Sequence, residues 1–146
     1  MRTLRIEVST PSDALVLDEV AGVRFLTGDG WRGIWPGHEP GSASLRPGPL
    51  RCWFRAPDTG AVAGAGEPER VRWIATEGGL ILIDRSALRV LTRWAALADD
   101  LVQLRARVEA RDRERARVEG EARTLGERHE IATRRALVAL ERKVSR

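Results

Sequence analysis

The segment Gly28-Asp29-Gly30-Trp31-Arg32-Gly33-Ile34-Trp35-Pro36-Gly37-His38 places four glycines, one proline and two tryptophans in eleven residues. Glycine tolerates positive φ, and proline fixes its own φ and removes a donor, so a chain bent this often is not a helix. Asp29-Gly30 suits a tight hairpin turn with short strands on either side. The two indoles then have two readings. They plug the edge of a sheet, contributing buried area, or they form an exposed docking surface.

On the N-terminal side of this corner the pattern is β. Leu4, Ile6 and Val8 alternate with Arg5 and Glu7, the period of a half-buried strand. Thr10-Pro11-Ser12-Asp13 interrupts it, Leu15 and Leu17 alternate again, and Val20 to Leu26 leads into the corner. On the C-terminal side, Glu39-Pro40-Gly41 is a break, Ala43-Ser44-Leu45 a short strand, and Arg46-Pro47-Gly48-Pro49 turns into Leu50-Arg51-Cys52-Trp53-Phe54-Arg55. Residues 56–69, rich in Gly, Ala and Pro, predict a mobile loop without chemistry. Val71–Thr76 and Leu80–Ile83 flank Glu77-Gly78-Gly79, which predicts a hairpin, and Ala87–Thr92 is a last strand. Seven to ten short strands with turn residues between them imply an antiparallel β-sandwich or flattened barrel over residues 1–94.

The character changes after Trp94. Residues 95–146 contain no proline and only two glycines, Gly120 and Gly126. Leu97, Leu101, Leu104 and Val108 are spaced as one helical stripe, and a second runs through Ile131, Ala132, Ala136, Leu137, Leu140 and Val144. Glu109/Arg113, Glu119/Arg123 and Glu130/Arg134 are i,i+4 pairs in the favourable order. Two antiparallel helices meeting near Gly120 are the simplest arrangement, with one unbroken helix as the rival. Asp112 and Arg115 interrupt the apolar seam, so a helical hairpin is marginal by itself and able to extend toward a partner.

The bulk numbers exclude several classes. At 146 residues, 42% hydrophobic and 32% charged, the chain is one domain or a small domain with an appendage. No apolar run is long enough to span a bilayer, and the N-terminus already reads as a strand, so no leader peptide is expected. Cys52 is the lone cysteine and, in a strand, predicts a packed thiol. Lys143 is the one lysine beside abundant Arg, Ala and Gly, the imprint of a GC-rich, bacterial-type genome. The net charge of +4 is not concentrated, because acids sit among the basic residues throughout: residues 1–96 carry 12 arginines and 11 acids, and residues 97–146 carry 13 basic residues and 10 acids. No concentrated field for phosphate is visible. His38 and His129 have no metal-ligand spacing, and no phosphate loop or nucleophile elbow occurs. No catalytic apparatus, metal or cofactor is expected.

The corner resembles the glycine-rich loop of the ε subunit of bacterial F-type ATP synthases, the δ subunit of mitochondria. That family's pattern D/E-G-x-x-G-I-x-P-G-H-x-P is matched by Asp29-Gly30-Trp31-Arg32-Gly33-Ile34-Trp35-Pro36-Gly37-His38-Glu39-Pro40. The resemblance continues through Leu45-Arg46-Pro47-Gly48, Gly78-Gly79-Leu80-Ile81-Leu82-Ile83 and Leu88-Arg89-Val90-Leu91-Thr92-Arg93-Trp94-Ala95. It implies a non-catalytic rotor subunit of the central stalk, with a β-sandwich foot joined to the γ subunit and the c ring. A two-helix C-terminal arm would be able to rise toward the α/β catalytic hexamer and restrain ATP hydrolysis. The subunit-interface residues it implies are Gly30, Trp31, Arg32, Gly33, Trp35, Pro36, Gly37 and His38, and those of the regulatory arm are Leu101, Arg105, Arg107, Arg111 and Arg115. His38 reads either as a loop-fixing hydrogen bonder or as a direct contact, and the arginine stripe as a solvated face or an inhibitory contact. The implied location is peripheral, on the cytoplasmic face of the bacterial plasma membrane.

Departures from the pattern carry information. Trp31 stands where the family often has an acid facing the c ring, which implies a contact by stacking or burial. Some members bind ATP through I/L-D-x-x-R-A at the start of the arm; here Leu101-Val102-Gln103-Leu104-Arg105-Ala106 has Val102 at the acid position, so no nucleotide is expected. With Glu39 and Gly41 in unusual places, these changes point to a divergent branch, such as an alternate N-type ATPase coupled to H+ or Na+. The competing class is a stand-alone protein-interaction or nucleic-acid-binding module with a basic coiled-coil tail.

Overall fold

The computed structural model of the chain describes residues 2–55 and 70–144; the loop expected over residues 56–69 lies outside them. Ten strands form one curled sheet: β1 (Leu4–Ser9), β2 (Ala14–Val20), β3 (Gly22–Thr27), β4 (Gly30–Ile34), β5 (Gly41–Leu45), β6 (Gly48–Phe54), β7 (Arg70–Thr76), β8 (Gly79–Ile83), β9 (Ala87–Leu91) and β10 (Ala95–Ala98). Among the described residues one helix, α1 (Leu101–Val144), follows. The chain divides into two compact units, residues 1–107 and 108–146.

The pairing order is β10-β7-β6-β3-β5-β8-β9-β1-β2, with β4 on the flank of β3. The path passes from one group of strands to the other through the single bridge Thr27↔Leu45. Inward residues of both groups interdigitate in one core: Leu4, Ile6 and Val8 of β1 meet Val23 and Phe25 of β3, Leu50 and Cys52 of β6, Ile74 of β7, Ile81 of β8 and Val90 of β9. The alternation of Leu4, Ile6 and Val8 in the sequence is therefore an inward face, each side chain contributing roughly 1.5–3 kcal/mol on burial. Cys52 is buried, and the loss of solvent pushes its thiol pKa up to about 12, with Arg72 opposing the shift. That thiol is a packing group and not a nucleophile.

Three expectations are corrected. The sheet is mixed, not wholly antiparallel, because β1 pairs β9 in parallel from Arg5↔Ala87 to Ser9↔Leu91. The Glu77-Gly78-Gly79 turn does not make a hairpin: β7 pairs β6 and β10, whereas β8 pairs β5 and β9. The two glycines instead carry the chain between the two groups of strands, at φ +83° and +139°. Their positive φ suits a tight turn equally well, so the local signal was right and the partner was not.

The third correction concerns the helical arm. Residues 95–98, expected to begin it, form β10 on the edge of β7, with Leu97 opposite Ile74. Leu97 thus belongs to the sheet and not to the stripe of Leu101, Leu104 and Val108. The helix starts at a cap: the Gln103 amide donates to Asp100 Oδ1 at 2.8 Å, and the Asp99 amide donates to Gln103 Oε1 at 3.2 Å. Asp100 thereby satisfies a first-turn amide that has no helical partner, and the Gln103 side chain ties the approach to the helix at Asp99.

Among the described residues no second helix of a hairpin forms, because α1 runs through Gly120 and Gly126 without a break. A glycine ends a helix by adopting positive φ, and neither of these glycines does so. In the interior, glycine costs only about 1 kcal/mol relative to alanine. Side chains span the position: Arg117 binds Glu114 on one side and Glu121 on the other, and Thr124 Oγ1 donates to the Gly120 carbonyl at 3.0 Å. Glu130 and Arg134 pair at 2.7 Å, as expected from their order. Nothing lies within 4 Å of a Cβ built at Gly120, so Gly120→Ala is expected to stabilise the helix by about 1 kcal/mol, read as a higher melting midpoint at 222 nm.

Candidate functional site

The Gly-Trp corner is built on β3 and β4, paired from Val23↔Ile34 to Thr27↔Gly30. The loop residues are Gly28 and Asp29, one place earlier than the Asp29-Gly30 turn expected, and Gly30 takes the positive φ at +115°. Thr27 Oγ1 donates to the Gly30 carbonyl at 3.0 Å and ties the hairpin end. Beyond β4 the chain turns at once. The His38 amide donates to the Trp35 carbonyl at 3.2 Å, with Pro36 and Gly37 at the two central positions and Gly37 at φ +86°. Proline then positive-φ glycine is the signature of a type II turn. The Gly37 amide donates to the Arg85 carbonyl at 2.7 Å, pinning this turn to the β8–β9 connection.

His38 sits half-buried, and its Nδ1 lies 2.8 Å from the Glu39 carbonyl. A carbonyl only accepts, so the proton is on Nδ1. This bond to the neighbouring carbonyl fits the loop-fixing role.

The inward residues of the hairpin, Val23, Phe25 and Ile34, are fully buried. By the pairing Leu26↔Trp31, Arg24↔Gly33, Arg24↔Arg51 and Gly22↔Trp53, the opposite face carries Arg24, Trp31, Gly33, Arg51 and Trp53. Trp31 and Trp35 are 51% and 55% exposed, so neither is an interior plug. They stand with Trp53 around an open cleft of about 430 Å3 lined by Arg24, Trp31, Gly33, Trp35, Arg51 and Trp53.

The cleft is organised by glycines. A Cβ at Gly33 would lie 2.7 Å from the Trp35 ring, and one at Gly22 would collide with the Trp53 ring. Each indole lies down on a bare backbone position. Trp35 and Trp53 meet edge to face at 5.9 Å and 64°, and the Arg24 guanidinium sits 5.6 Å from the Trp31 ring centre. Such ring pairs and cation–π contacts are each worth about 0.5–1.5 kcal/mol, enough to hold the rings in place without burying them.

The remaining two tryptophans lie on the same outward side. Trp73 opposes Arg51 across β6 and β7, and Trp73 and Trp94 pack on Ala75, Ala98 and Leu104. Leu104 is 7% exposed, and Arg72 Nε donates to Asp99 Oδ1 at 2.8 Å beside it. Of the stripe read from the sequence, Leu104 is the member that packs down, whereas Leu101, named for the regulatory arm, is exposed; the Asp100-x-x-Gln103 cap was the signal that sets the phase. A second concavity of about 560 Å3 lies at the Pro36-Gly37 turn, lined by Arg2, Thr3, Pro36, Gly37, Glu39, Pro40, Arg85 and Ser86. Arg32 projects from β4 opposite Phe25 and is exposed.

Of the arm residues, Arg105 and Arg107 belong to the first compact unit, and Arg111 and Arg115 to the second. Arg105, Arg107 and Arg115 are exposed, Arg111 is half-buried, and Arg115 pairs with Glu119 at 3.9 Å. Val102, at the position where an acid was sought, is 78% exposed. Among the described residues no helix is long and apolar enough to cross a membrane.

No protein-family model matches the chain. A curated protein named ATP synthase epsilon chain, from Solibacter usitatus (strain Ellin6076), is 32% identical over 114 residues, covering 77% of this chain and 75% of that protein. A chain in the cryo-EM structure of the Euglena gracilis mitochondrial ATP synthase (OSCP/F1/c-ring) has a TM-score of 0.52 at 18% identity, over 75% of this chain and 64% of that one. A chain in the Tetrahymena thermophila mitochondrial ATP synthase structure (central stalk/c-ring) has a TM-score of 0.47 at 15% identity, over 66% of this chain and 69% of that one.

Proposed function

The chain belongs to the ATP synthase epsilon-chain family and is a non-catalytic stalk subunit, and from that premise we propose that it links the γ subunit to the membrane c ring while its helix restrains ATP hydrolysis. The observation that carries the linking role is the corner itself. Two half-exposed tryptophans stand on a hairpin whose inward face is sealed and whose turn is pinned by Gly37 to the β8–β9 connection. Rigid exposed aromatic residues of this kind are the anchors of protein interfaces, since they lose little entropy on docking. In this reading Gly30, Trp31, Arg32, Gly33, Trp35, Pro36, Gly37 and His38 form the docking element, with His38 acting through the loop it fixes. Trp31 replaces a charged ring contact by an apolar one.

The restraining role is assigned to Leu101, Arg105, Arg107, Arg111 and Arg115, of which Arg107, Arg111 and Arg115 recur on successive turns of α1 and suit acidic segments of the α/β hexamer. Val102 leaves the arm without the acid that nucleotide-binding relatives use, so it acts without bound ATP. The protein then works as a peripheral component on the cytoplasmic face of the plasma membrane, in an H+- or Na+-coupled complex of the alternate branch.

The test is an assembled complex whose subunit ends at Arg107. This boundary keeps Leu104 on Ala75 and Ala98, which a cut at residue 97 would destroy. The truncated subunit is expected to co-purify with γ and the c ring, and ATP hydrolysis is expected to rise. Unchanged hydrolysis overturns a brake carried by Arg111, Arg115 and the helix beyond them, and loss of co-purification overturns docking by the β unit.

A further inference from the structure

The concavity at the Pro36-Gly37 turn collects charge that the sequence keeps apart. Arg2, ahead of β1, and Arg85, in the β8–β9 connection, both line it, together with the hydroxyl-bearing Thr3 and Ser86. Glu39 is the one acid of the lining. Among the described residues no carboxylate lies within ion-pair distance of either arginine. We propose that this concavity of about 560 Å3 binds a singly charged phosphate group, carried by a phosphodiester headgroup or present as free dihydrogen phosphate. The site goes beyond the docking reading, because Arg2, Arg85 and Ser86 lie outside the docking element.

Three segments of the chain meet here and are tied by backbone bonds. The Gly37 amide donates to the Arg85 carbonyl at 2.7 Å, and the Arg5 amide donates to the Ser86 carbonyl at 2.9 Å. The Asp84 amide closes the β8–β9 turn by donating to the Ala87 carbonyl at 2.8 Å. Arg85 and Ser86 are thus held beside the start of β1 before any ligand arrives, which lowers the ordering cost of binding. Arg2 Nη1 lies 3.8 Å from the point that a Cβ on Gly37 would occupy, so the guanidinium reaches over the bare turn. The donor set selects phosphate over carboxylate. A carboxylate takes its donors in one plane, whereas a tetrahedral phosphate accepts from several directions, as guanidinium forks and hydroxyls from separate segments supply. The charge then selects among phosphates. Two arginines against one acid leave one net positive charge, which suits a monoanion, while Glu39 repels a dianion.

Binding to the full-length chain at low salt decides it. One probe is inorganic phosphate in mildly acidic buffer, where the monoanion dominates, measured by calorimetry. The other is co-sedimentation with phosphatidylcholine vesicles containing phosphatidylglycerol, compared with vesicles of phosphatidylcholine alone. Arg2→Gln combined with Arg85→Gln is expected to weaken binding roughly tenfold or more. Arg46→Gln combined with Arg93→Gln removes the same charge from exposed positions outside the lining, and is expected to change binding less than about threefold. Glu39→Gln is expected to admit the dianion sulfate, which the wild-type chain binds weakly. Arg2→Gln alone, which has no hydrogen bond to lose, is the second variant should the double one fail to fold, with tryptophan fluorescence as the check. Vesicle retention that depends on Arg2 and Arg85, and that inorganic phosphate competes away, makes the ligand a lipid headgroup. Phosphate binding without vesicle retention makes it the free anion. Equal losses in the two double variants, or no binding of either probe, overturn the site.

Discussion

Gly79→Val is expected to destabilise the β unit by roughly 4 kcal/mol, a large part of the 5–15 kcal/mol that holds a domain folded. Two effects add. Gly79 has φ +139°, a conformation closed to a β-branched residue, and strain of this kind costs about 1–3 kcal/mol. A Cβ there would also collide with the Leu91 carbonyl oxygen, and overpacking against backbone costs a further ~1–3 kcal/mol or more because backbone has no rotamer to change. All five tryptophans fall within residues 1–107, so tryptophan fluorescence follows the β unit, whereas ellipticity at 222 nm is dominated by α1. The variant should lower the fluorescence midpoint and spare the helical signal. Gly41→Ala is the control, since nothing lies within 4 Å of its Cβ and its φ is not positive; it should stay within about 0.5 kcal/mol of wild type. A Gly79→Val variant as stable as this control would show that the two groups of strands cross elsewhere.

Phe25→Ala is the second large effect, expected at about 3–5 kcal/mol from lost burial and the cavity left behind. Phe25 is the largest of the fully buried side chains, in the strand that pairs with β4 on one side and β6 on the other. Its partner across β4 is Arg32, and the next outward residues, Arg24 and Leu26, oppose Gly33 and Trp31. Loss of the ring therefore removes the support directly beneath the tryptophan corner. The docking proposed for the corner should weaken in parallel with stability, although Phe25 is fully buried and reaches no partner. Full retention of assembly by a destabilised Phe25→Ala subunit would mean that the corner does not depend on the core for its shape. Phe25→Leu keeps most of the volume and should recover most of both losses.

The site was legible to different degrees for separable reasons. Gly30 and Gly37 were readable as bends because positive φ is a local demand, met at φ +115° and +86°. Whether Trp31 and Trp35 were plug or surface was not readable, since both readings require the same residues; strand pairing put Trp31 outward, and Trp35 lies against the bare backbone of Gly33 on the same side. Arg24, Arg51 and Trp53, which complete the cleft, lie on β3 and β6 and come together only through the register Arg24↔Arg51. No spacing in the sequence encodes that.

By itself the sequence determined the strand-rich first part, the inward face of Leu4, Ile6 and Val8, the proline-free helix that follows and, through the glycine pattern of the corner, the family. These follow from side-chain periodicity and from backbone angles open to few residue types, both properties of neighbours along the chain. Only the tertiary structure decided that β1 runs parallel to β9, that Gly78-Gly79 crosses between groups of strands, that residues 95–98 finish the sheet and that no turn occurs at Gly120. Each of those is a choice of partner. A strand with a free edge, or a helix with a weak seam, accepts several partners at similar local free energy, and the choice falls to whichever arrangement closes the common core around Phe25.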